Sequence, residues 1–540
     1  MNVIRTTLST IALSVATQAL SCTNFIVTAG ASADGSTMVT YAADSHVLYG
    51  ELYRFPAADH KKGEKLAIRE WDTNKYLGEI EQAAHTYSVV GNVNEYQLTI
   101  GETTFGGREE LVDTTGIIDY GSLIYITLQR ARTAREAINV MTSLVSTYGY
   151  CSEGESFSIA DPEEAWIMEM VGKGSQEKGA VWVAIRIPDG CVSGHANQSR
   201  ITTFPQNDPE NCLYAQDVIK FARAKGYFKG ESDSQFDFSA AFNPLDFEAK
   251  RCCEARVWSG FRKMNAEMDK YADYAFGTSD ERMPLYIKPD HKVTRRELTN
   301  IMRDHFEGTA MDMTQDVGAG PFGVPYRWRP LEFKVEGKTY IKERAIATQQ
   351  TGFWFVSQMR KSKAGGIIWF GCDDANTSVL VPIYTSTTDV PEEFAQGTAD
   401  MLTFSWKSAF WVFNWVANMT YHRYSYMIED VRKRQIQLED EMDNAVEEMD
   451  KRLATTKKDK ARTAAANTFA AEQTKKVVDT WRKLGEFLMV KYIDGNIHPE
   501  HDGVFDRTRD GNPVSPKQPG YNEKYYRSIV EETGDKLLMR

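Results

Sequence analysis

CTNFIVTAGASADGSTMVTYAADS, residues 22–45, is the stretch on which the reading of this chain turns. Asn24 to Ala29 is apolar and rich in β-formers, residues 31–36 (ASADGS) form a turn, and Thr37 to Ala43 is again strand-like. Two such runs joined by a short Gly- and Asp-containing turn predict a hairpin, which returns Asp44 to the neighbourhood of Cys22. Immediately upstream stands Ala19-Leu20-Ser21, a small-x-small cleavage signal. It follows a positively charged start at Met1 to Arg5 and a mildly apolar Thr6 to Ala16. Removal of residues 1–21 as a signal peptide would make Cys22 the first residue.

A cysteine at a free N-terminus carries its own base. An α-amine titrates near ~7.7–8.0 and can take the thiol proton close to neutral pH. The thiolate is then the attacking species. The competing reading is a lipid-modified cysteine. A lipobox places a large aliphatic residue three positions before the cysteine, where this chain has Ala19, with Leu20 one place too late.

Working outward, the 540 residues are 42% hydrophobic and 26% charged, an ordinary globular composition. A net charge of −12 argues against nucleic acid as a partner, and past the N-terminus no run approaches the ~20 apolar residues of a membrane span. Besides Cys22 there are Cys151, Cys191, Cys212, Cys252, Cys253 and Cys372, six thiols available for disulfides, with no CxxC of the zinc-ribbon kind. Strands are expected at 85–92, 95–103, 156–160, 165–171, 181–187, 353–359, 366–370 and 378–384. Helices are expected at 128–148, near 212–224 and near 252–264. Runs of strands with helices between the runs suggest stacked antiparallel sheets covered by helices, an α+β arrangement. From about Trp406 to Met489 no strand is evident. Met427, Val431, Leu438, Met442, Ala445, Met449 and Leu453 keep one helical face apolar, which predicts a helical C-terminal region at 401–540 packed on a catalytic unit at 22–400. The aromatic run from Phe404 to Tyr426 reads as core, and the tail from Asp502 to Gly520 as loop.

A family resemblance joins these observations. The block at 22–45 resembles the start of the bacterial cysteine dipeptidases (the dipeptidase A group) of the N-terminal-nucleophile hydrolases, relatives of penicillin V acylases and bile-salt hydrolases. The resemblance continues in order through VNEYQLTIGETTFGGREEL (93–111), QRARTAREAI (129–138), YGYCSEGESFSIADPEEAWIMEM (148–170), GHANQSRITTF (194–204), GPFGVPYRWRPLEF (320–333), ERAIATQQTGFWFVSQMR (343–360) and IIWFGCDDANTSVLVPIY (367–384). It implies an αββα sandwich with the nucleophile at the end of a central strand, and hydrolysis of short peptides, mainly dipeptides, through a thioester on Cys22 with no cofactor or metal. It carries over Asp44 as the aspartate that holds the nucleophile or its amine, Asn197 as the oxyanion-hole amide and Arg256 as the arginine near the nucleophile. Thr104, with Glu102 and Thr103, falls at the position lining the pocket opposite Asn197. For a dipeptide, Glu102 is the candidate for the ammonium and Arg344 for the carboxylate, since arginine matches a carboxylate bidentately. One departure stands out. Where many members have arginine three positions before the aspartate, this chain has Tyr41, so the source of positive charge near the thiol is open.

The alternatives are an acylase or amidase of the same fold acting on N-acyl amino acids or bile-acid conjugates, and a lipoprotein acylated at Cys22 with a binding or structural role. Secretion or a periplasmic location follows from the leader, and self-association is compatible with the composition. Weaker patterns are set aside. Cys151, His195 and Asn197 lack the flanks of a papain-like set. GAGPFG at 318–323 holds Pro321 and opens no βαβ unit. His498 and His501 read as a solvated pair.

Overall fold

The computed structural model describes residues 22–540; the leader and its cleavage signal lie outside the described residues. The predicted hairpin is present, with β1 at Asn24–Val27 and β2 at Thr37–Asp44. Every residue of both strands is buried, and alternation sorts their side chains to two sides. Phe25 and Val27 face one hydrophobic core, and Ile26 and Val39 another.

Eight further strands build two sheets: β3 (Thr99–Gly106), β4 (Gly154–Ala160), β5 (Ala165–Gly172), β6 (Ala180–Arg186), β7 (Val192–His195), β8 (Thr351–Met359), β9 (Ile367–Cys372) and β10 (Val381–Tyr384). The first sheet runs β7-β1-β2-β8-β9-β10, with Tyr286–Ile287 outside β7. The second runs β6-β5-β4-β3, extended by Cys212–Tyr214 beyond β6 and by three two-residue strands beyond β3. All pairings within them are antiparallel. The sheets stack through β1 and β2 against β3 and β4. Ile26 and Val39 meet Ile167 and Val183 in the layer between them.

Helices cover both outer faces. On the second sheet lie α1 (Tyr120–Leu128) and α2 (Ala134–Tyr148), whose Ile138, Met141 and Val145 pack with Trp166, Met168 and Met170 of β5. On the first sheet lie α3 (Ala255–Met264) and three C-terminal helices, α4 (Ala409–His422), α5 (Tyr424–Thr455) and α6 (Asp459–Lys491). Trp481 of α6 is fully buried, and its indole N–H donates to the Thr377 carbonyl at 3.1 Å. The architecture is the expected αββα sandwich, and the C-terminal helices are part of its outer wall.

Four local readings differ. The strand expected at 85–92 is two separate two-residue strands, His85–Thr86 and Val89–Val90, in different sheets. The helix expected at 128–148 begins only at Ala134, Leu128 being the last residue of α1, because Thr133 caps α2 by accepting from the Glu136 backbone N–H and Asp161 accepts from that of Ala134. Cys212 lies on a short edge strand, and the helix after it begins only at Val218. The 252–264 helix is entered through a π-helical turn at Ala249–Glu254. In the aromatic run Phe410, Phe413 and Tyr421 are buried, while Phe404 and Trp406 remain about half exposed. All seven cysteines are free thiols.

Candidate active site

Cys22 stands at the head of β1, buried, with its Sγ 3.8 Å from Glu102 Oε1 on β3. The approach of the two sheets at this point needs a glycine. A Cβ on Gly101 would sit 2.8 Å from Asn24 Nδ2 and 3.4 Å from Tyr41 Cβ. Tyr41, at the position of the family's arginine, donates its hydroxyl to Glu102 Oε1. Its partner is therefore the carboxylate beside the thiol, and it supplies no charge.

Glu102 and Glu155 form a buried acidic pair across β3 and β4. Glu155 Oε1 accepts from the Thr104 hydroxyl at 2.7 Å, and the Oε2 atoms of both carboxyls meet no donor. Burial raises both affinities for a proton, and the Glu102 charge pushes Glu155 further up. Two carboxyls this close do not both ionise, so the pair holds a proton at neutral pH. The Cys22 thiol is pushed well above its ordinary value by burial, then by the charges of Glu102 and Asp44, against an opposing hydrogen bond from the Asp44 backbone.

Asp44 ends β2. Its Oδ1 accepts from the Thr351 hydroxyl at 2.6 Å. Burial lifts its carboxyl to about 7, opposed by that bond and by the guanidinium groups of Arg256, Arg344 and Arg329. Arg256, fully buried on α3, ties the site together. It donates to the Cys22 carbonyl at 2.7 Å, to Thr23 Oγ1 at 2.8 Å and to Asn197 Oδ1 at 2.9 Å. Burial, then Arg344, lowers it to about 10, so it stays charged at neutral pH. Anchoring of Oδ1 fixes the Asn197 amide, whose Nδ2 donates to the Thr104 carbonyl at 2.6 Å. Asn197 itself adopts φ +58, a left-handed conformation that asparagine tolerates better than most residues.

A cavity of about 610 Å³ opens beside this network. Thr104, Asn197, Arg344 and Glu155 line it, with acidic residues from the same strand start and from two further segments. Thr103 does not, since its hydroxyl bonds His195 Nδ1 at 2.7 Å between the sheets. Cys22, Asp44, Glu102 and Arg256 lie behind the cavity wall and are not among its lining residues. His195 also bonds Ser158 Oγ through Nε2 at 2.7 Å, so both ring nitrogens are committed and unavailable to Cys151, which lines the cavity. Glu155, Arg329 and Thr351 were not singled out from sequence, although each sits inside a block quoted above. Among the described residues no group of three His, Cys, Asp or Glu is placed to hold a metal ion.

Stacked antiparallel sheets between helical layers, with a buried thiol at the head of a central strand, form the αββα sandwich that the sequence resemblance leads one to expect. The chain belongs to peptidase family C69, which matches it over residues 53–437. It is 24% identical to a probable dipeptidase of Latilactobacillus sakei, over 72% of this chain and 79% of the relative. It is 25% identical to a probable dipeptidase of Salmonella dublin, over 62% and 76%. A probable dipeptidase A of Streptococcus pyogenes is 23% identical over 70% and 78%. Among solved structures, penicillin V acylase from Agrobacterium tumefaciens aligns over 69% of this chain and 88% of its own, at 11% identity and a TM-score of 0.30.

Proposed function

We propose that this chain is a cysteine dipeptidase whose nucleophile is Cys22, exposed at a free α-amine by removal of residues 1–21 during secretion. The observation that carries the reading is the convergence of Asp44, Asn197 and Arg256 on a buried Cys22. The α-amine takes the thiol proton, and the sulfur attacks the peptide carbonyl. The oxyanion so formed draws the Asn197 Nδ2 hydrogen bond away from the Thr104 carbonyl. Collapse expels the C-terminal residue as its amine, which receives the proton, and leaves a thioester on Cys22 for water to hydrolyse. Arg256 orients the Cys22 backbone and the Asn197 amide. Asp44 accepts a hydrogen bond from the α-amine and orients it toward the thiol.

A dipeptide presents an ammonium and a carboxylate a few ångströms apart. The Glu102–Glu155 pair receives the ammonium, Glu155 being its cavity-facing member, and Arg344 receives the carboxylate. A site built around that acidic pair rejects an N-acetylated dipeptide. The test compares kcat/KM for one dipeptide with and without an N-acetyl cap. Strong preference for the free peptide supports the dipeptidase, whereas equal values point to an acylase of the same fold. The intact mass of the N-terminus reports both the cleavage after Ser21 and whether a lipid blocks the amine.

A further inference from the structure

The walls of the cavity carry more negative charge than a simple dipeptide uses. Glu70, Asp72, Glu153, Glu155, Asp246 and Glu248 all line it, against the single guanidinium of Arg344. They come from three separate segments: the turn after Lys65–Arg69, the start of β4, and the chain leading into the π-helical turn. If the Glu102–Glu155 pair, which shares one negative charge, meets the substrate ammonium and Arg344 its carboxylate, the other five carboxylates of the wall remain.

Neighbours offset this charge only in part: Arg344 acts against the burial of Glu248, and the Tyr120 hydroxyl donates to Asp72 at 3.0 Å. Among the described residues none of the six is in a salt bridge, and Arg251, beside Glu248, is committed to Glu343 at 2.5 Å. Glu155 is fully buried with its Oε2 lacking a donor. Burial holds Asp72, Glu153 and Glu248 above the ordinary carboxylate range; neighbouring carboxylates add to it, while the Tyr120 hydroxyl opposes it at Asp72 and Arg344 opposes it at Glu248. That is the signature of a cavity waiting for positive charge. The charge is spread along the walls instead of converging as metal ligands do. A flexible side chain ending in an ammonium or guanidinium suits such walls.

We propose that the cavity selects peptides bearing a second positive charge, a lysine or arginine side chain, in addition to the N-terminal ammonium; this rests on the dipeptidase reading above. Each partly exposed wall carboxylate that approaches the side-chain cation strengthens its binding by up to about fivefold, so two or more together reach about tenfold. The same walls disfavour acidic side chains.

The experiment measures kcat/KM for Ala-Lys and Lys-Ala beside their uncharged counterparts Ala-norleucine and norleucine-Ala, with Ala-Glu, Glu-Ala and Ala-Ala. The expected result is a preference of about tenfold or more for at least one lysine peptide over its norleucine counterpart, and the weakest hydrolysis for the glutamate peptides. Glu153→Gln or Glu248→Gln reduces the lysine preference while leaving Ala-Ala turnover unchanged. Lysine and norleucine peptides cleaved equally well overturn this inference and leave the dipeptidase intact. A lysine preference that survives both substitutions overturns the role given to the walls. Cleavage of none of the peptides overturns the dipeptidase and this inference with it.

Discussion

The thiol of Cys22 is flanked by carboxylates that oppose its ionisation, so under the proposed mechanism the positive charge that activates it comes from its own amine. Cys22→Ala is expected to abolish turnover without loss of fold, and Cys151→Ser to leave turnover in place. A circular-dichroism melt alongside the assay separates the two effects. Asn197→Ala is expected to lower kcat by about 10²–10³, roughly 3–4 kcal/mol, if its amide serves the oxyanion. A change confined to KM would reassign Asn197 to substrate binding. Asp44 gives a readout of its own. Its carboxyl is raised to about 7 in the fold from an ordinary 3.8, so its contribution to stability is complete below about pH 4 and is lost as pH rises through 7. Urea midpoints of the Cys22→Ala protein should therefore decline between pH 5 and 8 more steeply than those of the Cys22→Ala, Asp44→Asn double variant. Much of this centre was legible in the chain. Cys22 follows an Ala-x-Ser pattern, Asp44 ends the second strand of a short hairpin, and Asn197 falls in the GHANQSRITTF block, while Arg256 lies outside the quoted blocks and came from the resemblance alone. Glu155 was not legible, because an acidic residue in a strand gives no hint that the strand beside it places another acid diagonally opposite.

His195 belongs to the scale of elements. It sits on β7 of one sheet and bonds Thr103 and Ser158 of the other, pinning the two layers in register. Burial holds its ring near 3, well below the ordinary 6.5, so it is neutral in the fold. Its contribution to stability is present above pH 6.5 and is lost as pH falls from there toward 3. His195→Ala is expected to destabilise the protein by about 2–3 kcal/mol at pH 7.5 and to flatten its pH dependence between 7.5 and 5, read as denaturant midpoints. Strand periodicity located the central elements within a few residues, because both of their faces are apolar. It failed where an N-cap started a helix later than the apolar spacing suggests, as at Thr133, and where Cys212 to Tyr214 found a sheet edge to pair with. It also missed the π-helical turn before α3, since apolar spacing does not register one extra residue in a turn.

At the scale of the molecule, the C-terminal helices complete the core. Val431, Met442, Phe413 and Trp481 share one hydrophobic cluster with Trp354 and Phe355 of β8, and the family match runs through residue 437, inside α5. A chain ending at residue 405 would expose that cluster, and we expect it to be insoluble or unfolded, as a refolding trial and circular dichroism would report. The acidic cavity has a consequence for kinetics as well as for selection. It opens on a molecule of net charge −12, so its field reaches out to about a Debye length, roughly 10 Å at 0.1 M ionic strength. Cationic peptides are drawn in along that field before they touch any wall, and raising the salt concentration should slow their capture while leaving uncharged peptides almost unaffected.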